Sequence, residues 1–127
     1  MNMKLMVLGS EITAQKITAS LDSRGIEVVS ASDGPQAIAL LKEERFDLAA
    51  IDASVEETEV ACRCINELFD IPVVLIVKET EADWEKLMSP DTDGYITVEA
   101  SGVETAARLK AVIRRWSSYS KPILNVW

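Results

Sequence analysis

The chain has 127 residues, of which 48% are hydrophobic and 27% charged, and its formal net charge is −8. These totals are typical of one soluble globular domain, and the negative charge argues against nucleic acid as a partner because phosphate groups repel it. No segment resembles a signal peptide or a membrane span, since the apolar run 71–77 is far shorter than the ~20 residues that a span needs. We therefore expect a cytoplasmic protein that contacts neither nucleic acid nor membrane.

Five apolar segments predict β-strands, at residues 4–8, 26–31, 47–51, 71–77 and 95–98. Three of them are nearly continuous apolar runs, as in strands that are covered on both faces of a parallel sheet. Helical patterns alternate with these strands over short connections. The sequence therefore predicts an α/β fold built on a parallel sheet.

Start signals accompany the predicted helices. Ser10 is placed to cap the first helix, and Pro35 suits the first turn of the second. Residues 80–83 and 101–104 each combine a hydroxyl with an acid three residues later, which is an N-cap pattern. Apolar stripes predict the inner faces: Ala61, Cys64, Ile65 and Leu68 on the third helix; Trp84, Leu87 and Met88 on the fourth; Val103, Ala106, Leu109, Val112, Ile113 and Trp116 on the fifth.

The two cysteines, Cys62 and Cys64, are two residues apart on a predicted helix. Residues at this spacing point in different directions, and the chain has no histidine to complete a metal site. We expect two buried thiols rather than a disulfide or a metal ligand pair.

The last segment lies beyond the repeating pattern and contains Pro122, which breaks a helix. We expect one domain over residues 1–117, followed by a C-terminal tail or linker at 118–127. Its apolar residues, which include Trp127, suit either packing on their own domain or contact with a second copy or a downstream domain.

Ligands of an open parallel sheet bind beyond the carboxyl ends of its strands. Asp52 stands at such an end, and an acid is expensive to bury without a partner. The first predicted strand ends instead in Gly9 and Ser10, and the fourth and fifth end in Val77 and Val98. Asp52 is therefore the first candidate for a functional residue.

Four stretches of the chain, 27–37, 46–52, 71–75 and 93–97, resemble the receiver domain of bacterial two-component response regulators. The resemblance extends from residue 3 to about residue 117. It implies a flavodoxin-like, doubly wound fold, with a five-stranded parallel sheet in the order 2-1-3-4-5 and five helices divided between its two faces.

The family's site uses two acids that hold Mg²⁺, an Asp that accepts a phosphoryl group, a hydroxyl and a Lys. The resemblance implies that Asp52 occupies the phosphoacceptor position. It places Gly9 and Ser10 at the acidic pair, Val77 at the hydroxyl and Val98 at the Lys, so these positions look degenerate. Tyr95 matches an aromatic residue that reports phosphorylation in many receivers.

Two cation sites are weak alternatives. Asp52 with Glu11 is a candidate for Mg²⁺, because this ion is usually held by one or two carboxylates and water. The acids at 52, 56, 57 and 59 lack the glycine and alternating ligands of a Ca²⁺ loop, and acids near the start of a helix are common. We expect no resident cofactor, with Mg²⁺ needed only if Asp52 is phosphorylated.

Three hypotheses follow. The leading one is a signalling domain that is not phosphorylated and binds a protein partner or a second copy of itself. By resemblance, its interaction surface comprises the fourth helix, fifth strand and fifth helix: Trp84, Leu87, Tyr95, Arg108 and Arg115, with Trp127. The second is an atypical receiver that a histidine kinase phosphorylates on Asp52. The third is a ligand-sensing module that uses the emptied pocket. An enzyme is not expected, because the chain has no histidine, nucleophile elbow or Gly-rich phosphate loop.

Overall fold

A computed structural model of the chain describes residues 3–21, 24–78 and 92–120, with side chains up to residue 116. Its strands are β1 (Met3–Leu8), β2 (Ile26–Ala31), β3 (Leu48–Asp52), β4 (Val73–Val77) and β5 (Gly94–Thr97). Its described helices are α1 (Glu11–Leu21), α2 (Gly34–Glu43), α3 (Thr58–Phe69) and α4 (Gly102–Ser120).

The five strands form one sheet in the order β2-β1-β3-β4-β5, and every neighbouring pair is parallel. The predicted fold class and strand order are therefore confirmed. Strand bounds differ from the prediction by at most two residues. The largest shift is at β4, which begins after Pro72, a residue that has no N–H to donate to a sheet. Asp52 is the last residue of β3.

Each face of the sheet carries its own apolar core. Successive strand residues point to opposite faces, so Leu5 and Val7 join one core while Met6 and Leu8 join the other. The first core is covered by α1 and α4, through residues that include Ile17 and Leu109. The second is covered by α2 and α3, through Leu41, Cys62 and Ile65. Helices on both faces leave the strand ends as the accessible edges of the sheet.

The predicted helix starts are confirmed where they are described. The Ser10 hydroxyl accepts a bond from Thr13 N at 3.2 Å, and the Ser101 hydroxyl accepts one from Glu104 N at 3.2 Å. Pro35 lies in the first turn of α2, whose N-cap Asp33 accepts from Gln36 N at 2.8 Å. Side-chain caps of this kind satisfy backbone donors that have no partner within the helix.

Two predicted inner faces are partly wrong. The buried stripe of α3 runs through Thr58, Cys62 and Ile65, whereas Cys64 is exposed and Leu68 is 69% exposed. The helix begins at a polar residue that is itself buried, and the spacings of four and three from it define the inner face. Helix α4 corresponds to the fifth predicted helix, and its Val103, which was predicted to face inward, is 63% exposed. Only one of the two thiols is therefore buried.

Several predictions lie outside the described residues. They concern the helix around Trp84, Leu87 and Met88, the cap pattern at 80–83, and Trp127. Helix α4 continues to Ser120, so residues 118–120 of the predicted tail are helical. Within the described ranges, no helix combines the length and the apolar character needed to cross a membrane.

Candidate functional site

A cleft of about 470 Å³ opens at the carboxyl end of the sheet. Its polar lining consists of Ser10, Thr13, Lys16, Asp52, Ser54 and Lys78, and its apolar lining consists of Ile12, Ala53, Ile76, Val77 and Val98. The strand ends that the sequence singled out thus meet in one place. This is the edge at which parallel α/β sheets bind ligands.

Asp52 is half-buried, and both of its carboxylate oxygens accept hydrogen bonds. Oδ1 accepts from Ser54 N at 2.9 Å and from the Ser54 hydroxyl at 2.7 Å. Oδ2 accepts from the Thr13 hydroxyl at 2.8 Å. All three donors are neutral and add no positive charge beside the carboxylate, and they use three of its roughly four acceptor sites.

The Thr13 hydroxyl belongs to a short chain of hydrogen bonds. The Ser10 hydroxyl donates to Thr13 Oγ1 at 3.1 Å, and Thr13 Oγ1 donates to Asp52 Oδ2. Ser10 also accepts from Thr13 N, which fixes the first turn of α1. The end of β3 is therefore tied to the start of α1 through two hydroxyl groups.

Gly9 lies directly against the Asp52 side chain. A Cβ atom built at position 9 would be 2.8 Å from Asp52 Cβ and 3.3 Å from Asp52 Oδ2. Real Cβ atoms do not approach a neighbour so closely, because the repulsion is too large. The position that the resemblance assigns to an acid therefore holds the one residue type that lets Asp52 occupy this space.

The predicted Glu11 ligand is not part of the cleft lining. Its Oε1 accepts from Gln15 Nε2 at 3.4 Å along the exposed side of α1. Among the described residues, Asp52 is the single acid that lines the cleft, and no cluster of three or more acids, cysteines or histidines is suited to a metal ion.

The described donor set is a poor match for Mg²⁺. This ion is held in an octahedron by one or two carboxylates and water, and the one carboxylate in the described lining already accepts three hydrogen bonds. Two ammonium groups also line the cleft and would repel a divalent cation.

Val77 and Val98 are neighbours at the apolar side of the cleft. Val98 N donates to the Val77 carbonyl at 3.1 Å, and both side chains line the cleft. The resemblance assigns these positions to a hydroxyl and a lysine. Valine side chains supply neither a hydrogen bond nor a charge.

Sequence reasoning assigned no role to four polar residues of the lining: Thr13, Lys16, Ser54 and Lys78. Thr13 and Lys16 follow the Ser10 cap at intervals of three, which places them on one side of α1. Lys78 directly follows the end of β4. These spacings were available in the sequence, but exposed lysines and hydroxyls are too common to single out without the structure.

Three of the predicted interaction residues lie together at β5 and α4. The Arg108 guanidinium is 4.8 Å from the centroid of the Tyr95 ring, a cation–π distance, and it pairs with Glu104 at 3.7 Å. Arg115 Nη2 donates to the Asp93 carbonyl at 3.4 Å. Trp84, Leu87 and Trp127 lie outside the described residues.

A second partly buried acid, Asp93, lies at the opposite end of the sheet, just before β5. Its Oδ2 accepts from Val73 N at 2.8 Å and from Asn66 Nδ2 at 3.2 Å. Burial raises the pKa of the Asp93 carboxyl above its ordinary value, against the opposing effects of the Val73 hydrogen bond and the Arg115 charge. This acid joins α3, β4 and β5 and takes no part in the cleft.

The chain is similar to bacterial response regulators. It is 27% identical over 127 residues to the uncharacterized transcriptional regulatory protein YclJ of Bacillus subtilis, an alignment that covers 97% of this chain and 56% of the relative. It is 26% identical over 113 residues to the heme response regulator HssR of Staphylococcus aureus, covering 87% and 50%. The chain thus spans about half the length of the curated relatives it matches. No protein-family profile matches it.

The fold is also similar to solved receiver structures. A CheY-like response regulator receiver domain protein from Methanospirillum hungatei superposes with a TM-score of 0.76 over 94% of this chain and 99% of its own, at 14% identity. Identity at this level shows the fold alone. The chain therefore has the fold of receiver domains and a sequence similar to response regulators, in agreement with the resemblance that the sequence predicted.

Proposed function

We propose that the chain is a receiver-type signalling domain that works without phosphorylation and acts through contacts with a protein partner or a second copy of itself. It has no catalytic role of its own in this proposal. Proteins of this class exchange signals with histidine kinases and other proteins, so a kinase is among the candidate partners.

The observation that supports this proposal is the surroundings of Asp52. Its carboxylate accepts three hydrogen bonds from Thr13 and Ser54, and its Cβ lies against Gly9. A phosphoryl group would add about −1.5 to −2 charge at this point. Phosphoryl transfer relies on positioning and on neutralising that charge, and no second carboxylate in the described lining is available to hold a metal ion.

Phosphorylation can be tested directly. The protein is incubated with acetyl phosphate and Mg²⁺, and its intact mass is measured, with an active receiver in a parallel reaction as the positive control. We expect no stoichiometric gain of a phosphoryl group. A gain in the wild type that is lost in Asp52→Asn would overturn the proposal.

The described part of the proposed interaction surface consists of Tyr95, Arg108 and Arg115. Arginine and tyrosine are residue types that are enriched in protein interfaces. If a second copy binds here, it pairs by two-fold symmetry. Sedimentation of the wild type against a double variant, Arg108→Glu with Arg115→Glu, tests this pairing, and Lys110→Glu on the same helix controls for charge. A dimer that survives the double variant would place the contact elsewhere.

One observation favours a second candidate function, an atypical receiver phosphorylated on Asp52. Lys16 and Lys78 line the cleft and carry positive charge close to the position where the family uses a lysine. Under this alternative, Lys78→Gln lowers the extent of phosphorylation in the mass experiment, whereas Lys110→Gln leaves it unchanged.

A further inference from the structure

The cleft beside Asp52 is lined by two lysines that form no ion pair with the described residues. Lys16 comes from α1 and Lys78 follows β4, and neither forms an ion pair with a described carboxylate. The whole chain carries a formal net charge of −8. Two ammonium groups around one cavity, with no ion pair to the described residues, form a local site of attraction for an anion in such an acidic protein.

The remaining polar groups of the cleft favour an anion of low charge. The hydroxyls of Ser10 and Ser54 line the cavity, but each already donates its one proton within the protein, to Thr13 and to Asp52 respectively. The Asp52 carboxylate lines it as well and repels negative charge. Since this repulsion grows with the charge of the ligand, a monoanion such as a carboxylate is favoured over a phosphate dianion.

The other side of the cleft is apolar. Val77 and Val98 replace the polar groups that the receiver family uses, and Ile12 is 66% exposed beside them. A ligand that covers these side chains removes apolar surface from water, which contributes roughly 25 cal/mol per Å² to binding. The volume of about 470 Å³ lies within the range of ~300–1,000 Å³ that is typical of small-molecule sites.

We infer that this cleft binds a small organic monocarboxylate, with its carboxylate between Lys16 and Lys78 and its apolar body against Val77 and Val98. The inference rests on the proposed function only in that the cleft must be free of a phosphoryl group. Binding requires neither a metal ion nor covalent modification of Asp52. The ligand would take the place of phosphorylation as the signal that this domain receives.

The test uses phenylacetate and hexanoate as probes, with phenylethanol, hexanol and inorganic phosphate as comparisons. Each is titrated into the full chain and followed by the backbone amide signals of Ser10, Ser54 and Lys78. We expect saturable shifts for at least one acid with a Kd of about 1 mM or tighter. The alcohol of the same skeleton, which lacks the charge, should bind at least about tenfold more weakly.

Variants locate the site. Lys16→Gln and Lys78→Gln should each weaken binding of the acid at least about fivefold, because each removes one charge-assisted contact. Both lysines are exposed, so neither change threatens the fold. Lys110→Gln, an exposed lysine of α4 away from the cleft, should leave the Kd unchanged. Val98→Thr should weaken binding of the carboxylate probe and leave the Kd of inorganic phosphate unchanged.

Three outcomes would overturn the inference: equal binding of acid and alcohol, tighter binding of phosphate than of either acid, or no saturable shift at the cleft residues with either acid. Phosphorylation in the mass experiment is a separate result. If the chain accepts a phosphoryl group in that experiment, and its unphosphorylated form binds the acid, the proposed function is contradicted while this inference stands.

Discussion

Each end of the sheet has one partly buried aspartate, and the two residues differ in the groups that hold them. Asp93 at the amino end accepts bonds from the backbone of β4 and from Asn66, and burial raises its pKa. Asp52 at the carboxyl end accepts from side chains and the backbone of its own loop and faces a cleft. Asp93 connects α3 and β4 to the start of β5, whereas Asp52 lies where a ligand has access.

The largest expected effect concerns Gly9. Gly9→Ala should lower the free energy of unfolding by about 1–3 kcal/mol, because the new methyl group meets Asp52 Cβ at 2.8 Å and forces one strand end to move. Chemical denaturation measures the loss. Gly34→Ala is the matched control, since nothing lies within 4 Å of a Cβ at that position. If both variants are equally stable, Asp52 is not confined by Gly9.

The amino end should be the more sensitive to loss of a single hydrogen-bond donor. Asn66→Ala removes the donor to both Asp93 Oδ2 and the Ile71 carbonyl, so we expect a loss of about 1–2 kcal/mol. Glu67→Ala, at an exposed position of the same helix, should change the free energy of unfolding by less than about 0.5 kcal/mol. Equal effects in the two variants would show that the Asp93 junction contributes little.

At the carboxyl end of the sheet, Thr13→Val should lower the free energy of unfolding by less, about 0.5–1.5 kcal/mol, because water replaces the lost donor to Asp52. Combining it with Asp52→Asn in a double-mutant cycle isolates the interaction between the two side chains. Thr18→Val on the same helix removes only a bond to the Ala14 carbonyl and serves as the control. A Thr13 effect larger than the Asn66 effect would reverse the comparison of the two ends.

The smallest effect is the pH dependence that Asp93 contributes. Because its pKa is higher in the folded chain than the ordinary value of 3.8, the folded state binds this proton more tightly. The resulting stabilisation is fully present below pH 3.8 and is lost as the pH rises through the folded pKa. The unfolding free energy of wild type relative to Asp93→Asn should therefore increase as the pH falls through this window. If the difference in unfolding free energy between the two proteins stays constant or decreases as the pH falls, the pKa of Asp93 is not raised by folding.

The sequence predicted the sheet better than the cleft. Apolar runs and caps such as Ser101 depend on local spacing, so the strands, their parallel arrangement and the helix starts could be predicted. Strand order came from family resemblance. The inner face of α3 was misjudged because its buried stripe starts at Thr58, a polar residue whose hydroxyl bonds back to the loop before it.

The cleft could be predicted only in part. Asp52, Val77 and Val98 were found because they stand at strand ends. The hydrogen bond from Thr13 to Asp52 joins residues 39 positions apart, and the hydrophobic periodicity of the sequence does not predict contacts between such distant residues. Lys16 and Lys78 looked like ordinary surface lysines until the fold placed them around one cavity.

The contact between Gly9 and Asp52 also bears on how the chain can change over generations. The Cβ of an acid introduced at position 9 would meet the Asp52 side chain at 2.8 Å, so a substitution that adds a second carboxylate at this strand end carries a loss of stability. Asp52 must first move away, and that requires giving up its bond from Thr13. The glycine therefore couples the choice of residue at the end of β1 to the position of the carboxylate at the end of β3.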